Sequence, residues 1–374
     1  MKKKEEYIDG FKGIACMGVF LLHFYDMYSN GITAFQVDHS SMDLVFGRIL
    51  KPLMDGALLV MMFALVSGWL VSQSQVDDFH QFLSRTLHRY LRFILPIIPL
   101  LFLIWVVNRM GLFYAVKASD KYGIFILKEE YLPEQITFSD GIRQILYKIL
   151  ISLDNTWDSP FWMLGGIFWG SIIIYFLTWI RPKLHSDSTW TLLAVAIMAA
   201  SYWLWESTSV MVILGALIHW HYDRIEKIND HVFFIITAFT IMMVYGLQHY
   251  LLEVGLHFTD IPYAFDYTLW WRMLYAPILF CAILRYKSIQ KVLSWRLFSW
   301  LGKISFSIFI VHWPLLCSFS AWCFFTWTMD YTLAYWLILA MTSALVITVS
   351  YIYEHTAVKL SSNISYHIRK AMGC

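Results

Sequence analysis

The sequence is short of charge. Lysine, arginine, aspartate and glutamate make up 14% of its 374 residues, against about 25% in a soluble domain of ordinary composition. With 59% hydrophobic and 18% aromatic residues, it holds more apolar surface than a soluble fold of this length needs. The charge balance is also slight. A net charge of +2 is too small to suggest a nucleic-acid partner. Five cysteines give no disulfide framework. Cys16, Cys281, Cys317 and Cys323 lie in apolar stretches and Cys374 is terminal, a spacing that fits no zinc site, so no metal is expected. Low-complexity tracts and internal repeats are lacking. No small-residue cleavage site follows the first apolar run, which is read as a retained signal anchor.

What the chain does have is a series of apolar stretches near 20 residues long and a mean hydropathy of +0.57. These predict an all-α, polytopic integral membrane bundle of about ten helices, a single domain over residues 1–374. The expected spans are 8–28, 51–74, 92–110, 160–180, 189–206, 209–222, 232–249, 267–285, 303–326 and 331–354. With the N-terminus inside, 18 basic residues fall on the cytoplasmic side and eight outside. Five of those eight sit in one long outer loop, about 111–159, where the positive-inside rule is weaker. Both termini are therefore expected in the cytoplasm. Within the loop, Ile142, Ile145, Leu146, Ile149, Leu150 and Leu153 follow helical spacing. That pattern suits a helix lying on the membrane surface, with Ser139 as its N-cap.

The chemistry-bearing residues are few. His23 lies deep in the first span, eleven residues after Lys12. Three helical turns put both on one face, roughly 16 Å apart along the axis. Ionisable groups inside a span are functional candidates by default. His23 suits a general base; it also suits a satisfied polar residue of the bundle, or a transporter pore. Asp26, three residues later, could orient the imidazole or end the helix in solvent. Lys12 reads as a snorkelling anchor or as a phosphate contact, with Asp9 as its ion-pair partner. A second cluster runs from Arg85 through His88, Arg89 and Arg92 to Pro96. Its arginines are topogenic charge or phosphate ligands, and Arg92, nearest the apolar stretch, is the harder to dismiss. The third cluster is Ser305, Ser307, His312 and Pro314 in span nine. Pro314 is expected to break the helix beside a buried histidine, an arrangement that favours a cavity over lipid. Trp157, Phe161 and Trp162, with Asp154, Asn155 and Asp158, form either an interfacial aromatic belt or a sugar-holding rim. Glu354 reads as interfacial.

Together these segments resemble acyltransferase family 3, a family of integral membrane proteins that includes bacterial cell-surface glycan O-acetyltransferases. The first span is similar to the family's opening Leu-Asp-Gly-Leu-Arg-Gly and following histidine, with Lys12 at the arginine position. Phe63-Ala-Leu-Val-Ser67-Gly68 resembles Phe-Phe-Val-Leu-Ser-Gly. Arg85 to Pro96 is similar to the family's arginine-rich entry to span three, and Ser305 to Pro314 to its Ser-Tyr-Ser-Ile-Tyr-Leu-x-His-x-Pro segment. Two departures stand out. Lysine at position 12 keeps the charge but loses the guanidinium fork. Ile167 stands where many members have glutamate, although Trp162 and Leu164 are kept, so no carboxylate role is assigned there.

The resemblance implies transfer of an acyl group, usually acetyl, from cytoplasmic acyl-CoA to a hydroxyl of a glycan, lipid-linked sugar or other acceptor. The donor is acetyl-CoA as substrate, and no cofactor is held permanently. It assigns His23 to the chemistry, as base for the acceptor hydroxyl or as carrier of the acyl group, and His312 to its support, Lys12, Arg89 and Arg92 to the donor phosphates, and Asp9, Ser67, Gly68, Trp162 and Ser305 to holding the site. A flippase of lipid-linked sugar and a non-catalytic membrane scaffold are the rival readings.

Overall fold

The computed structural model describes residues 6–30, 40–50, 54–122, 136–152, 157–184, 186–243 and 267–371. Among them every regular element is helical. In chain order the main helices are α1 (Glu6–Tyr25), α2 (Gly56–Val71), α3 (Phe79–Arg109), α4 (Trp162–Ile180), α5 (Asp187–Trp220), α6 (Asp230–Met242), α7 (Tyr267–Arg285), α8 (Arg296–Lys303), α9 (Ser305–Leu315) and α10 (Tyr331–Tyr353). Five stretches of the described residues are long and apolar enough to cross a membrane: Glu6–Tyr28, Phe79–Arg109, Ser159–Lys183, Ser305–Thr326 and Tyr331–Ile368. Gly56–Val71, Ser207–Trp220 and Asp230–Met242 are apolar but shorter. Length and composition thus support five full crossings, fewer than the ten expected. The expected seventh span, 232–249, runs beyond the described residues after position 243.

The chain packs into two compact units. The first comprises Met1–Ile8, Gly56–Leu83 and Gly166–Arg296. Its α2 has no polar face and lies against α5 in backbone contact. A Cβ on Gly68 would fall 1.8 Å from the Val212 carbonyl oxygen, and one on Gly215 2.1 Å from that of Leu65. Small residues let membrane helices approach this closely. The helical run of α5 is 34 residues, which would extend about 51 Å if straight. Yet the Trp190 and Trp220 rings lie 4.6 Å apart, and the Ser209 hydroxyl donates to the Ser201 carbonyl at 3.2 Å. The run therefore doubles back between Ser201 and Ser209. Its two antiparallel legs occupy the places of expected spans five and six. Ile173, Leu177, Trp190, Ala194, Ile213 and Leu217 form the core between the legs and α4. In α6 the usual pattern is inverted. Phe234, Ile235, Phe239 and Met242 are exposed while Thr237 and Thr240 are buried. Each threonine hydroxyl is satisfied by the carbonyl four residues before it, at 2.9 and 2.8 Å. Apolar residues outward and back-bonded threonines inward suit a helix whose solvent is lipid.

The second unit comprises Asp9–Asp55, Ser84–Gly165 and Leu297–Cys374. Here α1 runs parallel to the α8–α9 segment in a constant register. A Cβ on Gly302 would lie 1.8 Å from the Asp9 carbonyl oxygen, and one on Gly13 2.6 Å from the Gly302 nitrogen. One turn further, the side chains of Cys16 and Ser305 lie beside each other. Three turns further, His23 meets His312, 289 residues away in the chain. Gly13 and Gly302 keep the same offset. Above them the Tyr28 hydroxyl donates to the Leu316 carbonyl at 2.7 Å.

Pro314 does not break the helix as expected. The helix continues from Ser305 to Thr326, widening into a π-turn at Leu316–Ser320. Proline removes one N–H, and the widened turn redirects its carbonyls to partners outside the helix. Leu316 accepts from Tyr28, and Cys317 accepts from the Tyr114 backbone N–H at 3.2 Å. Two other expectations are corrected. The surface helix of the long loop begins at Phe138, and its N-cap is Thr137, not Ser139. Thr137 forms a capping box with Asp140, satisfying two orphan amides reciprocally. Phe138, Ile142 and Leu146 form an exposed apolar row on it, as a helix on a membrane surface requires. Trp157 and Phe161, in turn, do not form an open rim. They are 2% and 0% exposed and belong to the core; Trp162 is 38% exposed. Asp154 and Asn155 lie outside the described residues.

Candidate active site

The second unit holds a histidine pair. His23 Nδ1 and His312 Nε2 are 3.0 Å apart, and the two rings stack with centroids 5.2 Å apart at 15°. The Trp313 ring stands edge-on to His23 at 5.2 Å. Phe20 and Phe309 border His312 at 6.5 and 6.3 Å. One further contact sets the directions of the hydrogen bonds. His312 Nδ1 lies 3.0 Å from the Ile308 carbonyl oxygen. A carbonyl only accepts, so in the neutral ring Nδ1 of His312 carries the proton and Nε2 is a bare lone pair. That lone pair must accept from Nδ1–H of His23. The remaining nitrogen, His23 Nε2, then presents a lone pair. No group bonds it among the described residues.

The chain from Ile308 carbonyl to His312 to His23 fixes one tautomer and one ring orientation, as a buried base requires. The partner of His23 Nδ1 is thus His312, which sequence reasoning placed nearby in role but not in contact; Asp26 does not take that place. His312 is 1% exposed. His23 lies deep among surrounding atoms yet keeps part of its surface free. Of the pair, His23 is the member open to a ligand.

About three turns away on α1, Lys12 Nζ pairs with Asp9 at 2.7 Å. The Lys12 side chain keeps 21% of its surface. The Ser305 hydroxyl donates to the Gly302 carbonyl at 2.9 Å, tying the turn that contacts Asp9. On α3 the Arg89 guanidinium lies over the Phe93 ring at 4.7 Å, and Arg92 is exposed. The helix begins at Phe79, thirteen residues before the expected span, so all of Arg85, His88, Arg89 and Arg92 ride on helix rather than on a loop. Phe93 meets Phe306 with centroids 6.4 Å apart, placing the arginine turn beside α9.

The unit therefore assembles His23, His312, Asp9, Lys12, Ser305, Arg89 and Arg92 on α1, α3 and α9. Ser67 and Gly68 belong to the first unit, where Gly68 seats α2 on α5. Trp162 borders the second unit's turn at Ser159–Phe161. Sequence reasoning gave two residues too little weight. The Ser307 hydroxyl, fully buried, donates to Glu354 Oε2 at 2.7 Å, so Glu354 is not merely interfacial. The signal was present: an acid near the end of a long apolar helix is costly unless it serves something. Two groups outside the spans have shifted acidity. Burial pushes the Asp158 carboxyl well above the usual carboxylate range, whereas the Thr137 hydroxyl holds Asp140 below it. Among the described residues no cluster of histidine, cysteine and acids could hold a metal ion.

The described residues thus form an apolar helical bundle with a histidine pair and, three turns away on α1, a lysine–aspartate pair. The chain matches the acyltransferase domain family over residues 5–355 and belongs to it. No curated protein and no solved structure matches it.

Proposed function

We propose that the protein is an O-acyltransferase of the cell membrane that moves an acetyl group, or a related acyl group, from cytoplasmic acyl-CoA to a hydroxyl of a cell-surface glycan or lipid-linked sugar. The observation that carries the reading is the His23–His312 pair, whose hydrogen-bond direction leaves His23 Nε2 as the open base of the pair. Membership of the acyltransferase family supports the reaction class.

His23 Nε2 takes the proton of the acceptor hydroxyl as its oxygen attacks the thioester carbonyl. The imidazolium that forms keeps its Nδ1–H on His312, now a charge-assisted bond and a stronger one. The tetrahedral intermediate collapses, the C–S bond breaks, and His23 returns its proton to the departing thiolate. Lys12, Arg89 and Arg92 bind the donor phosphates at the cytoplasmic end of the same unit.

The test is ester-linked acetate on the surface glycans of the native host, compared in wild type, a deletion, and the deletion complemented with His23→Ala at matched protein level. Acetate lost on deletion and not restored by His23→Ala is the expected result. Restoration by His23→Ala would remove His23 from the chemistry.

A further inference from the structure

Four helices of the second unit meet at one level, about 10 Å along α1 from His23. Cys16 of α1 lies beside Ser305 of α9. Phe93 of α3 touches Phe306 of α9. Ser307 of α9 donates to Glu354, just past α10. The Tyr353 hydroxyl donates to the Pro96 carbonyl of α3 at 2.6 Å, and Arg92 stands one turn before Pro96 on the same helix face. These contacts fix the Glu354 carboxylate at the junction of α3, α9 and α10, beside the turn of α3 that carries Arg92; His355, Arg92 and Lys12, in that order, are the cations that act on it. Lys12 is already paired with Asp9. The basic cluster thus carries its own acids, one on α1 and one beyond α10.

We propose that Glu354 is a built-in counter-anion of the phosphate site: it neutralises Lys12 and Arg92 when the donor is absent and competes with the donor's phosphates for them. The inference rests on the acyl-CoA reading above and adds to it a residue that sets donor affinity. Two cations near each other at the edge of a low-dielectric bundle repel, and an unneutralised pair is costly there. A carboxylate held on Ser307 relieves that repulsion in the empty site. When the pyrophosphate and ribose phosphate of acyl-CoA arrive, the same carboxylate opposes them. The site is thereby kept from binding spent CoA too tightly, which favours product release over retention. Ser307 acts through Glu354 and is a positioning residue, because its hydroxyl holds the carboxylate without reaching the cations itself.

The experiment is calorimetric titration of unacylated CoA into the purified full-length protein in nanodiscs, for wild type, Glu354→Gln and Lys12→Ala, at low and high potassium chloride. Glutamine keeps the shape and can still bond the Ser307 hydroxyl. The expected result is CoA binding about three- to tenfold tighter in Glu354→Gln, with a steeper loss of affinity in high salt, and weaker in Lys12→Ala. Equal or weaker binding in a Glu354→Gln protein that elutes and melts like wild type would overturn the proposal and leave the acyl-CoA reading intact. If Glu354→Gln does not fold, Glu354→Asp takes its place. It keeps the charge but withdraws it by one methylene, and a tightening of about twofold is expected. No tightening there overturns the proposal as well. Wild-type protein that binds no CoA would overturn the acyl-CoA reading itself, and the counter-anion role with it.

Discussion

The two units use the same packing device for different ends. In the first, Gly68 and Gly215 bring α2 and the second leg of α5 into backbone contact. In the second, Gly13 and Gly302 do the same for α1 and α8. The seams beyond these contacts differ. Beyond Gly68 and Gly215 the seam carries ring contacts: the Trp69 ring stands edge-on to His219 at 4.9 Å and to Tyr222 at 5.3 Å. Beyond Gly13 and Gly302 the seam carries polar pairs at a fixed offset, Cys16 with Ser305 and His23 with His312. A close glycine contact makes register a rigid property of two helices. Once register is rigid, polar side chains several turns away can be held within hydrogen-bond distance. The first unit has the rigidity; the second adds to it a hydrogen-bonded histidine pair.

Substitutions at the glycines separate these roles. Gly302→Ala puts a methyl group into the Asp9 carbonyl oxygen and must push α1 and α8 apart. The expected cost is about 1–3 kcal/mol of stability together with a large loss of transfer per folded molecule, because the His23–His312 distance changes with the register. Gly215→Ala should cost about the same stability while transfer per folded molecule is largely kept. Thermal unfolding in detergent and turnover normalised to folded protein distinguish the two. Equal losses of turnover would erase the contrast between the units.

Smaller effects sharpen it. Lys12→Ala should raise the apparent KM for acetyl-CoA about tenfold with kcat little changed. Lys12→Arg should preserve or lower that KM, since the guanidinium adds a fork to the same charge. A KM unmoved in Lys12→Ala would take the donor phosphates away from α1. Asp158→Asn tests the fold rather than the chemistry. Burial raises the Asp158 carboxyl, so the folded state binds a proton that the unfolded chain has released. The stability linked to that proton is whole below the ordinary carboxylate range and is lost as pH rises through the raised value. Asp158→Asn should therefore melt higher than wild type at neutral pH, with the gain disappearing toward pH 4. A wild-type melting temperature flat across that range would contradict this.

The helices of the site were legible because their apolar runs are long and their punctuation is clear. Span nine, expected at 303–326, is the helical stretch Ser305–Thr326, and span four, expected at 160–180, lies within Ser159–Lys183. His23 and His312 stood out because imidazoles inside apolar helices are rare. Their contact did not, because the two are 289 residues apart and register between distant helices depends on which small residues meet. The sequence shows Gly13 and Gly302 but not that they face each other. Pro314 misled because proline's missing N–H was read as a break, whereas a π-turn with outside donors absorbs it. Trp157 and Phe161 misled for a related reason: an aromatic at a membrane interface and one in a core look alike until the packing is known. Glu354 read as interfacial because an acid at a helix end is ordinary, and only the Ser307 contact makes it specific.

The central claim is that His312 directs His23 and that His23 is the member of the pair that meets the substrate. The measurement that tests it most directly is acetyl transfer from radiolabelled acetyl-CoA by purified protein in nanodiscs, comparing His23→Ala and His312→Ala with wild type at equal folded fraction. The account predicts that His23→Ala loses about 10²–10⁴-fold in kcat. His312→Ala should keep a reduced but measurable kcat and an unchanged KM for acetyl-CoA. Turnover surviving in His23→Ala, or a deeper loss in His312→Ala than in His23→Ala, would contradict it.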